Sequence, residues 1–166
     1  MHNELTKIDI EKMQAEIDYR ETRLRPQLIE DVQTARAFGD LSENFEYKAA
    51  KQAKNKNESR IRYLKRMIAS AVIITTESKS DEVGLFDRVT VYIEEDDEEE
   101  TIRFVTTVRQ NPMEGLISKE SPMAQALLGK KVGDRVFIPV GEGGYYVVIR
   151  AIEKGEDDAE LDITRY

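Results

Sequence analysis

The chain contains, between two segments of helical periodicity, the stretch Arg36-Ala-Phe-Gly-Asp40-Leu-Ser-Glu43-Asn-Phe-Glu46-Tyr-Lys-Ala-Ala-Lys51. Gly39 follows the first segment, as glycine commonly does where a helix ends. Asp40 and Glu43 stand at the start of the second segment. Because only a few residues link the two segments, the helices must run antiparallel as a hairpin. The sequence therefore predicts a helical hairpin whose far end carries Asp40 and Glu43.

The spacing of these two acids permits two interpretations. Asp40 at the N-cap with Glu43 three residues later matches a capping box, which satisfies the first backbone N–H groups of a helix. Alternatively, the hairpin carries both carboxylates to a reaction centre in another molecule. Spacing alone does not decide between these interpretations, and one residue can serve both purposes.

The composition excludes several kinds of site. The chain has 166 residues, a net charge of −8 and no cysteine, so it has neither disulfides nor a thiolate metal site. The only histidine is His2, which argues against a Ser-His-Asp triad and a histidine-rich zinc site. The sequence shows no apolar run of membrane-spanning length and no signal-like N-terminus. We therefore expect a soluble, cytoplasmic protein.

Charge and periodicity both change near residue 70. Residues 1–70 carry a net charge of +2, whereas residues 71–166 carry −10. This asymmetry predicts two domains with different partners. We place an antiparallel coiled-coil finger at residues 1–71, a β-rich domain at residues 72–153 and a partly frayed acidic tail at residues 154–166.

Apolar residues recur at helical spacing on both sides of the acidic stretch. They form one seam from Ile10 to Phe38 and another within Glu43–Ser70. Pro26 interrupts the first seam, and since an interior proline removes a backbone hydrogen bond, we predict a kink near Thr22–Arg23. Asn57 lies on the second seam, where a buried asparagine fixes the register at a cost in stability.

The second helical segment is rich in basic residues. Between Tyr47 and Arg66 only Glu58 opposes them. The basic residues are Lys48, Lys51, Lys54, Lys56, Arg60, Arg62, Lys65 and Arg66. One interpretation is a solvated helix surface; the other is a stripe that lies along a polyanion such as RNA.

Beyond Ser70 the sequence alternates with the period of strands. The runs with β-branched or aromatic residues are Val72–Thr76, Val89–Ile93, Thr101–Val108, Arg135–Val140 and Tyr145–Ile152. Ser121-Pro122, followed by an apolar run that ends at Gly129, predicts a short helix. Its serine is the cap and its proline takes the first helical position.

Two stretches resemble the signatures of the Gre transcript cleavage factors of bacteria. The first comprises Gly39-Asp40-Leu41-Ser42-Glu43-Asn44, Glu46-Tyr47 and Ala49-Ala50-Lys51. The second comprises Ile117-Ser118, Ser121-Pro122-Met123-Ala124, Leu127-Leu128-Gly129-Lys130 and Val132-Gly133-Asp134. The resemblance runs from about Leu5 to Glu153 and is closer to the GreA branch than to GreB. The chain departs from the family at Phe45, which is bulkier than the small residue usual there, in the segment Phe104–Asn111, which does not follow the family's usual strand-end pattern, and in its tail after Glu153.

The resemblance implies an α+β fold, in which an N-terminal coiled-coil hairpin precedes an FKBP-like β-rich domain with one short helix. That domain would dock at the rim of the secondary channel of bacterial RNA polymerase, and the hairpin would reach down the channel. The chain would then stimulate the polymerase's own Mg²⁺-dependent cleavage of the backtracked 3′ end of nascent RNA. It would not itself be an enzyme. We also expect a monomer with no membrane partner.

The resemblance also assigns residues. Asp40 and Glu43 match the tip acids that help to hold Mg²⁺ in the polymerase active site. Arg36 and Lys51 match basic positions that contact RNA or the polymerase, and we extend this role to Lys54 and Arg60 on the basic arm. Mg²⁺ prefers oxygen ligands and usually takes only one or two protein carboxylates, so two acids on a finger can complete a site that is already partly built.

Two alternatives belong to other functional classes. The first is a non-cleaving protein that occupies the same channel and inhibits or regulates the polymerase. Loss or repositioning of the tip acids would mark that class, and this chain has both acids. The second is a coiled-coil dimerisation module. The short turn disfavours it, because the apolar seams of the two arms already pack against each other within one chain.

Overall fold

The computed structural model describes residues 2–39 and 44–164. The chain divides into two compact units, one formed by Met1–Asp9 and Val72–Tyr166 and the other by Ile10–Ala71. The helices are α1 (Lys7–Tyr19), α2 (Arg25–Arg36), α3 (Phe45–Ala69) and α4 (Pro122–Leu127). The strands are β1 (Glu4–Leu5), β2 (Val72–Ile73), β3 (Arg88–Ile93), β4 (Glu98–Val105), β5 (Leu116–Ser118), β6 (Arg135–Val140) and β7 (Gly143–Glu153).

Helices α1 and α2 pair with α3 in antiparallel fashion. Glu16 contacts Arg60, Arg20 contacts Asn57, and Ala35 contacts Asn44, so contact positions rise along one arm as they fall along the other. The predicted seams supply most of the buried apolar side chains of this hairpin, namely Met13, Ile17, Val32, Ala35, Ile61 and Leu64. Met67 is also buried, although the predicted seam continued from Leu64 to Ile68 instead. The hairpin prediction is confirmed.

The irregularity predicted at Thr22–Arg23 takes the form of a π-helical turn over Arg20–Leu24. The backbone N–H of Arg25 donates to the carbonyl of Arg20, five residues back. Pro26 then occupies the first turn of α2. Proline has no N–H to donate, but the first N–H groups of a helix have no intrahelical partner in any case. The widened turn therefore places Pro26 where its missing hydrogen bond costs little, and the helical path continues.

The β-rich unit is built on a five-stranded sheet in the order β5-β4-β3-β7-β6. Its strands pair antiparallel except for β4 and β5, which are parallel. Helix α4 packs on the sheet through Ala124 and Leu127 and is capped as predicted, since Ser121 accepts a hydrogen bond from the Ala124 N–H at 3.1 Å. Together with the hairpin, this sheet confirms the predicted α+β fold class.

The N-terminal residues and the tail differ from the predicted domain bounds. Strand β1 pairs with β2, which places residues 2–9 in the β-rich unit rather than in the hairpin unit. Arg109 is completely buried and pairs with Asp9 at 2.6 Å and with Asp157 in the tail. Ile163 is also buried, so the tail is packed as far as the described chain extends rather than frayed.

Candidate functional site

The tip of the hairpin is described on both sides of the predicted acids, while Asp40 and Glu43 themselves lie outside the described residues. Asn44 joins the two arms there. Its side-chain amide donates to the Ala35 carbonyl at 2.7 Å, and its side-chain oxygen accepts from the Tyr47 N–H at 3.0 Å. The start of α3 is therefore fixed to the last turn of α2 by one side chain.

This arrangement contradicts the capping interpretation of the two acids. The N-cap of α3 is Asn44, which has extended backbone angles and makes the capping hydrogen bond. In sequence, Glu43 directly precedes this N-cap and Asp40 lies four residues before it. Since Asn44 caps α3 as asparagine commonly does, neither carboxylate is needed for that purpose.

Arg36 lies over the Tyr47 ring at the tip, and the charges of Lys51 and Lys54 also act on the Tyr47 hydroxyl. The Arg36 guanidinium lies 5.5 Å from the centre of the Tyr47 ring. A hydrogen bond from Arg36 lowers the pKa of the Tyr47 hydroxyl, and the charges of Lys51, Arg36 and Lys54 lower it further. These residues thus create a local positive potential, which favours anions such as phosphate. The sequence analysis assigned no role to Tyr47, although it lies within the tip signature.

The fourth predicted basic residue, Arg60, is placed differently. Its side chain is only 6% exposed and its Nε donates to a Glu16 carboxylate oxygen at 2.7 Å. Arg60 therefore serves the packing of the hairpin, and its burial contradicts the prediction that it contacts RNA. The spacing carried a signal for this, because Arg60 follows Asn57 by three residues and precedes Leu64 by four, which places it on the seam face of the helix.

Glu16 is the centre of this buried polar cluster. It accepts from Arg60 and from Arg20, and Arg20 also donates to the side-chain oxygen of Asn57 at 2.9 Å. Burial by itself raises the pKa of Glu16, but the hydrogen bonds from Arg60 and Arg20 outweigh it and lower the pKa below its ordinary value. Asn57 is buried as predicted and holds Arg20 in the seam.

Two absences concern only the residues that the structure describes. Within residues 2–39 and 44–164, no group of three or more His, Cys, Asp or Glu side chains is arranged to hold a metal ion. Across the same ranges, no helix has both the length and the apolar character needed to cross a membrane.

Known families match both units. The family described as "Transcription elongation factor, N-terminal" matches residues 3–73, and the one described as "Transcription elongation factor, GreA/GreB, C-term" matches residues 77–154. A protein of Geobacillus kaustophilus named transcription elongation factor GreA is 41% identical over 150 residues, which cover 90% of this chain and 95% of that protein. A protein of the same name from Leuconostoc citreum is 45% identical over 134 residues, covering 80% of this chain and 84% of its own.

One of the similar proteins has a solved structure. The GreA factor homolog 1 (Gfh1) protein of Thermus thermophilus is 28% identical and covers 91% of this chain and 98% of its own, with a TM-score of 0.40. The sequence matches over both units place the chain among the transcription elongation factors. It belongs to the GreA/GreB family.

Proposed function

We propose that this chain binds bacterial RNA polymerase at its secondary channel and stimulates the polymerase to cleave backtracked nascent RNA. The observation that carries the proposal is the Asn44 cap, which removes the structural requirement for carboxylates at positions 40 and 43. The contact of Arg36 with the Tyr47 ring and the positive charges of Lys51 and Lys54 support it, because a positive potential at the tip suits a phosphate backbone.

In this proposal the chain is not an enzyme by itself. Asp40 and Glu43 would be the residues of this chain that hold a Mg²⁺ ion together with the polymerase, and two carboxylates match what Mg²⁺ usually takes from proteins. The ion would supply Lewis-acid activation of water and charge stabilisation for phosphodiester hydrolysis. Arg36, Lys51 and Lys54 orient the RNA strand through its phosphates. The chain acts in the cytoplasm, where bacterial transcription takes place.

The β-rich unit supplies the docking contact at the rim of the channel. Helix α4 buries Ala124 and Leu127 in the core, so its apolar signature serves packing. Docking therefore uses exposed residues near α4 rather than the signature's apolar side chains.

The test adds the full chain and Mg²⁺ to a stalled polymerase complex with backtracked, labelled RNA. We expect shortened RNA and resumed elongation. The alternative, a non-cleaving channel binder, predicts competition for the polymerase without shortened RNA. A chain that neither competes nor cleaves would exclude both functions.

A further inference from the structure

Two phenylalanines border the undescribed acidic segment and are unusually exposed. Phe38 lies two residues before Asp40 and is 70% exposed; Phe45 lies two residues after Glu43 and is 81% exposed. Large aromatic side chains are mostly buried in folded proteins, and exposed ones are enriched where another molecule binds. Phe38 was predicted to end the first apolar seam, but its exposure shows that the seam does not bury it, and Phe45 is exposed as well, so packing of the hairpin explains neither ring.

Phe45 is held next to basic side chains. It is the first residue of α3, directly after the Asn44 cap that ties α3 to α2. The Lys48 ammonium lies 5.7 Å from the centre of the Phe45 ring. One turn further along α3, Lys51 is exposed, and across the hairpin Arg36 lies over Tyr47. An exposed ring with cations beside it is the combination that single-stranded nucleic-acid sites use, in which bases stack on rings and cations track the phosphates.

The alternative partner for the exposed Phe45 ring is an apolar protein surface, and the residues around Phe45 argue against it. The exposed neighbours on the first turns of α3 are Glu46, Lys48 and Ala49, which are polar or small. A protein contact built on Phe45 would need several large apolar side chains around it to exclude water, and among the described residues of the tip Phe38 is the one that adds such a side chain. A stacked base needs only the face of the ring and a nearby cation.

We propose that Phe45 is a positioning residue whose ring stacks on an unpaired base of the backtracked RNA, while Lys48 and Lys51 contact the phosphates beside it. This inference rests on the proposed binding to the backtracked complex and adds the RNA contact that aligns the strand with Asp40 and Glu43. Phe38 is the second ring on the same tip and provides an additional surface for a neighbouring base.

The experiment places a fluorescent adenine analogue, whose emission is quenched by stacking, near the 3′ end of RNA in a backtracked polymerase complex. Four full-length chains are compared in an Asp40→Asn, Glu43→Gln background, so that cleavage does not consume the RNA. They carry Phe45, Phe45→Tyr, Phe45→Leu or Phe45→Ala. A Met113→Ala chain is the matched control, because Met113 is 95% exposed but lies in the β-rich unit.

We expect the chains that carry Phe45 or Phe45→Tyr to quench the emission, and the Phe45→Leu and Phe45→Ala chains not to. In the cleavage-competent background, Phe45→Ala and Phe45→Leu should lower the maximal cleavage rate by roughly fivefold or more, the low end of the cost of losing one base stack. The concentration of chain needed for half-maximal effect should stay nearly constant, and Phe45→Tyr should restore the rate.

Equal quenching by the Phe45 and Phe45→Leu chains would show that the quenching does not come from stacking on the ring of residue 45 and would overturn the inference. Absence of quenching by every chain, with competition for polymerase intact, would overturn the inference and leave the proposed function standing. A chain that does not compete for polymerase at all would instead overturn the proposed function. Because Phe45 is so exposed, circular dichroism should show the same melting temperature for all variants.

Discussion

At the scale of single residues, substitutions of Asp40 and Glu43 distinguish a role in helix capping from a role in binding Mg²⁺. Asparagine and glutamine resemble aspartate and glutamate in shape but are poor Mg²⁺ ligands. Asp40→Asn and Glu43→Gln should each cut RNA cleavage by roughly 100-fold, a loss of about 2.7 kcal/mol of transition-state stabilisation. The free energy of unfolding should change by less than about 0.5 kcal/mol. Both variants should still compete with the wild type for polymerase. A fully active double variant would refute the metal role of these acids.

The Asn44 cap gives the complementary prediction. Asn44→Ala should destabilise the chain by about 1 kcal/mol, because it removes the hydrogen bond to the Tyr47 N–H and the one to the Ala35 carbonyl. Asn44→Asp should recover only part of the stability, since aspartate can still accept from the Tyr47 N–H but has no amide to donate to the Ala35 carbonyl. Thermal unfolding followed by circular dichroism measures the difference. If Asp40→Ala were as destabilising as Asn44→Ala, the assignment of the cap to Asn44 would be wrong.

At the scale of the hairpin, basic side chains that look alike in sequence have different tasks. Arg60→Ala should destabilise the chain by about 3 kcal/mol, because it leaves the mostly buried Glu16 carboxylate with one partner fewer. Lys51→Ala should change the stability by less than about 0.5 kcal/mol, as for other exposed positions. Lys51→Glu with Lys54→Glu should instead weaken cleavage and alter its dependence on salt. Chemical denaturation and cleavage assays at several salt concentrations distinguish the packing role of Arg60 from the RNA-contacting role of Lys51 and Lys54. Equal stability losses for Arg60→Ala and Lys51→Ala would contradict this division.

The buried Glu16 cluster also predicts a pH dependence. The pKa of Glu16 is lower in the folded chain than its ordinary value of 4.5. Its stabilising contribution is therefore complete above that ordinary value and is lost as the pH falls through the lower folded-state pKa. Glu16→Gln should be less stable than the wild type at neutral pH, and the gap should narrow under acid. Urea unfolding at neutral and at acidic pH measures the difference in the free energy of unfolding between the two chains. A difference that grows as the pH falls would contradict the prediction.

At the scale of the whole molecule, Arg109 joins three distant parts of the chain within the β-rich unit. It pairs with Asp9 at 2.6 Å and with Asp157, and it lies 4.6 Å from the centre of the Phe86 ring. Arg109→Ala should destabilise this unit by about 3–5 kcal/mol, because Asp9 would remain buried without its cation.

The exposed Lys131–Asp81 pair provides the control for Arg109. Its side chains are 55% and 60% exposed, so Lys131→Ala should cost less than about 1 kcal/mol. Deletion of residues 157–166 should destabilise the unit in the same direction as Arg109→Ala, since it removes Asp157 and the buried Ile163. Thermal unfolding of full-length chains and of the truncated chain measures both. A truncated chain as stable as the wild type would show that the tail does not contribute.

Local signals were sufficient for much of this fold. The antiparallel hairpin follows from two apolar seams and a short link, and helix α4 follows from Ser121, Pro122 and Gly129, because caps and periodicity depend on residues a few positions apart. The same signals were ambiguous at the tip, where Asp40 and Asn44 are both good caps. The sequence also assigned one role to Arg36, Lys51 and Lys54; the structure places Arg36 over the Tyr47 ring, and contact of the three residues with RNA stays a prediction.

The amino-acid sequence by itself determined the helical hairpin, the sheet-forming half and the family, because each is written in periodicity or in contiguous motifs. Only the tertiary structure decided that Asn44 caps α3, that Arg60 turns inward to Glu16 and that Arg109 binds Asp9 and the tail. Arg60 and Arg109 pair with residues 44 and 100 positions away, respectively. The charge of an arginine is the same at a surface and in a core, so its role depends on which distant carboxylate the fold brings to it.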